Sequence, residues 1–423
     1  MLKYLKLAGV GPAATMELEF GKRLNLITGD NGLGKSFILE AAWWCLTRTW
    51  TGHWVRPSGL TKSKPNISFL FDGVAKKNTY TSYFDAEEQD WPSKKGRPAN
   101  PGLVIFAKAD GGFAVWDPAR NYWKIDARGK PISRPPAYKF NSSEVWNGLN
   151  WQDKIVCNGL LRDWVSWQFG DTEKFSLLKR ALASLSPGGA EVLEPGSPTK
   201  IDINDARQMP TLKMPYGEEV PVLFASAGMR RAIALAYLLV WAWSEHLDAA
   251  RLMKKKPAKQ VIFLVDEIEA HLHPKWQRLI LTSLLAVVNQ MAQRKDAAVQ
   301  IIAATHSPLV LTSMEPVFDA KQDAWFDLDL EGENKPHVVL RRREFHKRGD
   351  VSAWLTSEAF GLATSRSSEA ESALKQAQAL MQPGVRPKSP ALKNVELALQ
   401  RALPETDPFW VRWEMLKKRH PAT

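Results

Sequence analysis

Gly29-Asp30-Asn31-Gly32-Leu33-Gly34-Lys35-Ser36 fits the phosphate-loop spacing G-x-x-x-x-G-K-[ST] at every position. The apolar run Leu24-Asn25-Leu26-Ile27-Thr28 ahead of it reads as a strand, and Phe37 to Leu46 behind it reads as a helix. That strand–loop–helix context gives the spacing its meaning. Backbone N–H groups of a glycine-rich loop point inward at phosphate oxygens, and the helix N-terminus adds partial positive charge. Gly29, Asn31, Gly32 and Gly34 form the expected cradle for ATP phosphates. Lys35 is placed to reach the β- and γ-phosphates, and the Ser36 hydroxyl to ligate Mg²⁺.

Further along, Val261-Ile262-Phe263-Leu264-Val265-Asp266-Glu267 is a continuous apolar run ending in two carboxylates. Such a run suits a parallel strand buried on both faces. Ligands of open α/β sheets bind outside the carboxyl ends of the strands, so Asp266 and Glu267 are expected beside the phosphate loop. Asp266 then holds the Mg²⁺ hydration shell, and Glu267 polarises the attacking water as general base. Ile301-Ile302-Ala303-Ala304-Thr305-His306-Ser307-Pro308 is a second buried strand, far enough on for one crossover helix. His306 is therefore expected on the same sheet edge, where its N–H can sense the γ-phosphate. Ala225-Ser226-Ala227-Gly228-Met229 precedes a long apolar helix, and Ser226 with Gly228 supplies a cap and open N–H groups for an anion.

In this order the motifs resemble the ATP-binding-cassette heads of SMC/RecF-type and OLD-family ATPases. Gly29 to Ser36 is similar to their G-x-N-G-x-G-K-S. Asp266-Glu267-Ile268-Glu269-Ala270-His271-Leu272-His273-Pro274 is similar to the D-E-x-E-x-x-L-H-P of the OLD-like branch, and Ala304 to Pro308 to its T-H-S-P. The match is specific over residues 1–50 and 220–310. The resemblance implies an α/β fold: an ABC-ATPase head with a mixed or parallel central sheet, an antiparallel β layer and a helical subdomain. It also implies ATP sandwiched between two subunits, with Ser226 and Gly228 of one copy on the γ-phosphate held by Lys35 of the other. Glu267 and His306 then serve hydrolysis, and Glu269 to His273 crosses the dimer interface. A glutamine linking Mg²⁺ to the helical subdomain is expected too; Gln152 is the first choice and Gln168 the second. Ser226-Ala227-Gly228 differs mildly from the commoner Ser-Ser-Gly or Ser-Gly-Gly. No long coiled coil interrupts the chain, and the length after the head leaves no room in it for the nuclease domain expected of the OLD kind. The resemblance thus points to an "AAA family ATPase" of prokaryotic anti-phage defence, a sensor or scaffold acting with a separately encoded nuclease or toxin. A RecF-like repair ATPase binding DNA directly is the alternative, and a slow ATP-dependent clamp a third reading.

Composition sets the frame. Of 423 residues, 44% are hydrophobic, ordinary for a globular protein, and the most apolar stretch, Ala232 to Trp243, is too short to span a bilayer. Cys45 and Cys157 lie far apart in apolar surroundings, which argues for a reducing, cytoplasmic setting. The N-terminal run Met1 to Leu7 reads as an edge strand. Much of the excess behind the net charge of +12 lies at Lys254-Lys255-Lys256, at Arg341-Arg342-Arg343 with Lys347 and Arg348, and at Lys417-Lys418-Arg419; it permits DNA or RNA contact without establishing it. The expected organisation is an ATPase core of residues 1–50 and 220–350, an antiparallel β layer over 51–140, a helical subdomain over 141–219 and a helical tail over 351–423. Polar links at 92–98 and 382–390 break the pattern. The tail ends Pro404 to Trp413, whose aromatics suit either an exposed partner-docking segment or a helix packed on the ATPase core. The His271–His273 pair lacks the further ligands a zinc site needs. Asp327-Leu328-Asp329 reads as part of a core strand, and most of the 18 tryptophans as core packing.

Overall fold

The computed structural model describes residues 1–52, 54–60, 64–73, 79–92, 100–122, 133–293, 297–332, 334–382 and 389–419. The links at 93–98 and 383–388 lie outside the described residues. The chain divides into two compact units, Met1–Gly349 and Asp350–Thr423.

In the first unit β1 (Leu2–Ala8) and β2 (Thr15–Glu19) precede β3 (Leu24–Gly29) and α1 (Lys35–Thr47). Next come β4 (Asn66–Phe71), β5 (Tyr80–Tyr83), β6 (Leu103–Ala107), β7 (Phe113–Trp116) and β8 (Tyr138–Phe140). A lobe follows, made of α2 (Ser142–Asn147), the hairpin β9 (Leu149–Trp151) and β10 (Lys154–Cys157), α3 (Leu160–Gly170) and α4 (Thr172–Leu185). The small sheet β11 (Glu194–Pro195), β12 (Thr211–Lys213) and β13 (Glu219–Pro221) then leads to the long helix α5 (Ala227–Leu252). The unit ends with β14 (Gln260–Val265), α6 (Pro274–Gln277), α7 (Ile280–Gln293), β15 (Ala298–Ala304), α8 (Pro308–Met314), β16 (Ala324–Glu331) and β17 (His337–Arg343).

The central sheet has the order β17-β16-β3-β15-β14-β6-β7-β8. Its inner strands from β16 to β6 run parallel, and β17, β7 and β8 run antiparallel. Every residue of β3 is buried, as is every residue of β14 and β15 after the first. Burial on both faces is why these segments read as unbroken apolar runs. The carboxyl ends of all five parallel strands emerge on one edge, which builds the site.

The strands expected to form one antiparallel layer over 51–140 divide between two sheets. β4 and β5 join β1 and β2 in the order β2-β1-β4-β5, whereas β6, β7 and β8 extend the central sheet. The reason is visible in Leu103-Val104-Ile105-Phe106-Ala107, which is wholly buried and pairs in parallel with β14. β1 is flanked by β2 and β4 rather than lying at an edge. Helix α1 lies between the two sheets: Ile38, Leu39, Trp43 and Trp44 share one core with Leu5 and Phe69 of the small sheet and Phe106 and Leu264 of the large one. A helix covered on both sides is apolar nearly all round, as α1 is.

The paired tryptophans Trp43/Trp44, Trp164/Trp167 and Trp241/Trp243 are all buried, as expected of core packing. Asp327 is buried in β16, where Thr28 Oγ1 donates to it at 2.8 Å and Arg343 Nη2 lies 3.2 Å away. Arg341 pairs with Glu331 on the neighbouring strand, so the Arg341–Arg343 cluster is partly neutralised. Cys45 and Cys157 are buried and unpaired, and burial pushes the Cys157 thiol up to about 12. Among the described residues no helix is long and apolar enough to cross a membrane.

The second unit holds α9 (Val351–Leu355), α10 (Ser368–Leu380), α11 (Ser389–Ala402) and α12 (Phe409–Arg419). The aromatic tail is not an exposed segment. Phe409, Trp413 and Leu416 pack with Ala370, Leu374, Leu392 and Leu399 into this unit's own core, and the Trp410 indole donates to the Pro404 carbonyl at 2.9 Å. The i, i+3/i+4 spacing of Phe409, Trp413 and Leu416 is that of an amphipathic helix, which buries its aromatics locally. Lys417 pairs with Glu396 and Glu414; the side chains of Lys418 and Arg419 lie outside the described residues.

Candidate nucleotide site

The loop after β3 has the backbone its glycines allow. Gly29 and Gly34 adopt φ values of 129° and 105°. A Cβ on Gly29 would lie 2.3 Å from the Leu328 carbonyl oxygen, and one on Gly34 2.6 Å from Pro12 Cγ. Both positions therefore exclude a side chain on conformational and steric grounds together. Asp30, Asn31, Gly32 and Ser36 are exposed at the mouth. Lys35 is buried beneath them, donating from Nζ to the carbonyls of Gly29 at 2.7 Å and Asp30 at 2.8 Å. Burial pulls its pKa down, against the opposing pull of Asp266, Glu267, Asp30 and Glu269. Those two carbonyls hold an ammonium group at the floor of a cradle of N–H groups.

Asp266 leaves β14 beside this lysine. Its N–H donates to the Ala107 carbonyl at 2.9 Å, and its carboxylate is hydrogen-bonded by the Ser36 side chain. The other oxygen, Oδ1, is buried without a hydrogen-bond partner. Burial raises the Asp266 pKa, with the neighbouring Glu267 adding to it. A hydroxyl and a carboxylate with one unspent buried oxygen fit Mg²⁺, which takes one or two protein ligands and completes its shell with water and phosphate. Among the described residues no group of three or more His, Cys, Asp or Glu side chains could hold a metal on its own. His273 instead caps α6, its Nδ1 accepting from the Lys275 N–H at 3.3 Å.

Glu267 has φ of 46° and His271 of 62°, so a left-handed residue stands at each end of the turn after β14. Such geometry in non-glycine residues costs about 1–3 kcal/mol and persists where the surroundings over-determine it. Between them, Glu269 folds back onto the end of β15. Thr305 Oγ1 donates to its Oε2 at 2.7 Å, and the His306 N–H donates to its Oε1. Ser307 Oγ donates to Gln277 Oε1 at 2.7 Å, while Gln277 Nε2 donates to the Leu272 carbonyl at 2.9 Å. The segment expected at a dimer interface thus joins the ends of β14 and β15 within one chain.

His306 reaches the phosphate loop, where its ring hydrogen-bonds the Gly29 carbonyl. Burial, then the Lys35 charge, lowers its pKa below the ordinary value. A folded-state pKa below the unfolded one favours the neutral ring. Its contribution to stability is present above about 6.5 and lost as pH falls through the lowered value. In a histidine-resolved NMR titration His306 should have its midpoint below 6.5 in the free protein. ATP should move the midpoint upward, because a γ-phosphate beside the ring favours the cation. An unchanged midpoint on adding ATP would place His306 away from the phosphates.

Ser226 caps α5, its Oγ accepting from the Met229 N–H at 3.3 Å, and stays exposed. Gly228 lies against the turn after β14, where a Cβ would come 2.9 Å from the His271 carbonyl oxygen. Gly228→Ala should therefore displace the helix start, lowering ATP turnover on the order of tenfold while leaving ATP affinity unchanged. Unaltered turnover would show that this contact positions nothing.

The sequence did not single out Arg231 or Lys108. Arg231, on the second turn of α5, donates from Nη2 to the Lys108 carbonyl at 2.6 Å, and Asp110, Asp266 and Glu267 oppose the burial that lowers its pKa. Lys108 follows β6 directly, one residue past Ala107, which pairs with Val265. Both cations line the edge that a residue-by-residue motif search reaches only through the sheet order. Gln152, the first choice for the Mg²⁺-linking glutamine, occupies the exposed β9–β10 turn at φ 53°. Gln168 on α3 donates to the Gly196 carbonyl at 3.0 Å. No hydrogen bond among the described residues joins either glutamine to Lys35, Ser36 or Asp266.

Residues 24–312, more than half of the chain and every motif above, match the family described as "AAA domain, putative AbiEii toxin, Type IV TA system". The chain belongs to that family. This AAA-domain chain is 26% identical over 326 residues to the Septu protein PtuA of Bacillus thuringiensis, covering 73% of this chain and 72% of the relative. It is 34% identical over 104 residues to the Retron Vc95 probable ATPase of Vibrio cholerae, a match covering 23% of this chain and only 17% of that one. Among solved structures it is similar to an SMC head domain from Thermotoga maritima, with TM-score 0.35 and 15% identity, covering 81% of this chain and 99% of the other. An Smc head from Pyrococcus furiosus gives TM-score 0.38 at 13% identity, covering 81% and 96%. The fold of this AAA-domain chain is defined by its own sheet order and family membership rather than by those superpositions.

Proposed function

We propose that this chain is an ATP-hydrolysing subunit of a prokaryotic anti-phage or toxin-type complex, working with a separately encoded nuclease or toxin. The observation that carries the ATPase reading is the convergence of Lys35, Ser36, Asp266, Glu267 and His306 on one sheet edge around a buried, unpartnered carboxylate oxygen. Lys35 binds and orients the β- and γ-phosphates. Ser36 and Asp266 hold Mg²⁺, which supplies charge neutralisation on the transferred phosphoryl group. Glu267 orients and deprotonates the attacking water, and His306 contacts the γ-phosphate. The exposed Ser226 and the N-terminus of α5 suit closure over the nucleotide of a second copy, giving a homodimer or a larger assembly. The defence assignment is supported by the Septu and retron relatives and by the toxin wording of the family description.

The test is co-expression of the chain with its gene neighbours, measuring phage plating and copurifying chains with ATP present. Recovery of a nuclease or toxin, with protection lost in Lys35→Ala, supports the proposal. Recovery of recombination proteins or DNA alone, without protection, sinks it in favour of repair.

A further inference from the structure

At the opposite edge of the central sheet from the phosphate loop, where α5 ends and β14 begins, lies a cavity of about 460 Å³. Small-molecule sites span roughly 300–1,000 Å³. Arg134, Lys255, Lys256 and Lys259 line it together with His246, and among the described residues no lining side chain is acidic. Lys255, Lys256 and Lys259 make no ion pair with any described residue. We propose that this pocket binds clustered phosphate groups, as carried by a free polyphosphate compound or by a nucleic-acid strand.

The pocket is held in shape by a buried relay. The Asp117 carboxylate accepts from His246 Nδ1 at 2.7 Å, from Arg120 Nε at 2.8 Å and from the Ala119 N–H at 2.8 Å. His246 Nε2 lies 2.8 Å from the Ala258 nitrogen. A backbone N–H can only donate, so Nε2 accepts and the proton resides on Nδ1. The imidazole thereby fastens the lysine-bearing loop to α5. From the other wall, Arg134 Nη1 donates to the carbonyls of Ala119 at 3.0 Å and Arg120 at 3.3 Å, which sets the guanidinium in place.

Lysines at a helix C-terminus are favoured by the helix dipole, and that accounts for Lys255 and Lys256 beside the end of α5. It does not account for Lys259, which leads into β14, or for Arg134, which precedes β8. Four cations from two segments, the α5–β14 loop and the stretch before β8, converge on a concave surface with no acidic lining among the described residues, which raises the local concentration of anions. The nucleotide site is not the same place. The six residues of β14 separate the pocket from Asp266 by about 20 Å at 3.3 Å per residue.

Equilibrium binding to the full chain carrying Lys35→Ala, which silences the phosphate loop, tests this directly. The probes are inorganic tripolyphosphate and a short 5′-phosphorylated single-stranded DNA. Binding of tripolyphosphate alone identifies a small polyphosphate ligand; binding of the strand as well identifies a nucleic-acid contact. In either case Lys255→Gln/Lys259→Gln should weaken binding about tenfold or more, and salt should weaken it further. The same double substitution in the otherwise wild-type chain should leave ATP turnover unchanged, which confirms an intact fold. Failure of both probes to bind, or equal affinity in the Lys255→Gln/Lys259→Gln protein, overturns the proposal.

Discussion

Glu267→Gln is expected to bind ATP as well as wild type while losing about 10²–10⁴-fold in turnover, the range a positioned general base supplies. The substitution is nearly isosteric and keeps the left-handed turn, because the backbone at φ 46° is set by the hydrogen bond from the Ala270 N–H to the Glu267 carbonyl. It also removes a negative charge that raises the Asp266 pKa, so Mg²⁺ retention should not suffer. With hydrolysis blocked, the ATP-bound state accumulates, and light scattering should find the variant as an ATP-dependent dimer. Hydrolysis at the wild-type rate would remove Glu267 from the role of base. A variant that is monomeric with ATP bound would remove the two-copy sandwich while leaving the base intact.

How much of this was legible in the sequence depends on what each residue needs in order to be recognised. Lys35, Ser36, Asp266 and His306 sit at strand ends inside short motifs, and unbroken apolar runs announce the buried strands that carry them. Their convergence follows from parallel connections alone. Glu269 was placed at an interface because its motif position was known but its partners were not; its bonds to Thr305 and His306 join turns that only the adjacency of β14 and β15 brings together. Lys108 was invisible for the same reason. β6 looked like one more short strand among several, although its unbroken apolar run from Leu103 to Ala107 is the local mark of a strand buried on both faces. In the tail the structure does depart from the expectation. Phe409, Trp410 and Trp413 looked exposed because they lie near the end of the chain, although their helical spacing already fitted the local core they occupy.

Lys35→Ala should abolish nucleotide binding, and the geometry says why a partial effect is not expected. The ammonium group is nearly fully buried and is fixed by two loop carbonyls, so it meets the phosphates already desolvated and oriented. Charge-assisted contacts of that kind are about twice as strong as neutral ones. Asp266, Glu267 and Glu269 surround the same point, and without Lys35 the incoming phosphates face these carboxylates with less opposing charge. A ligand at one hundred times its dissociation constant stabilises the folded state by about 2.7 kcal/mol, which a thermal melt reads as a rise in Tm. Wild type should show that rise with Mg²⁺ and ATP, and Lys35→Ala should show none while giving the same circular dichroism in their absence. An equal rise in both proteins would mean that ATP binds elsewhere or that the loop N–H groups suffice. If ATP alone stabilises Lys35→Ala and the rise disappears in Lys255→Gln/Lys259→Gln, the second phosphate pocket would be the place it binds.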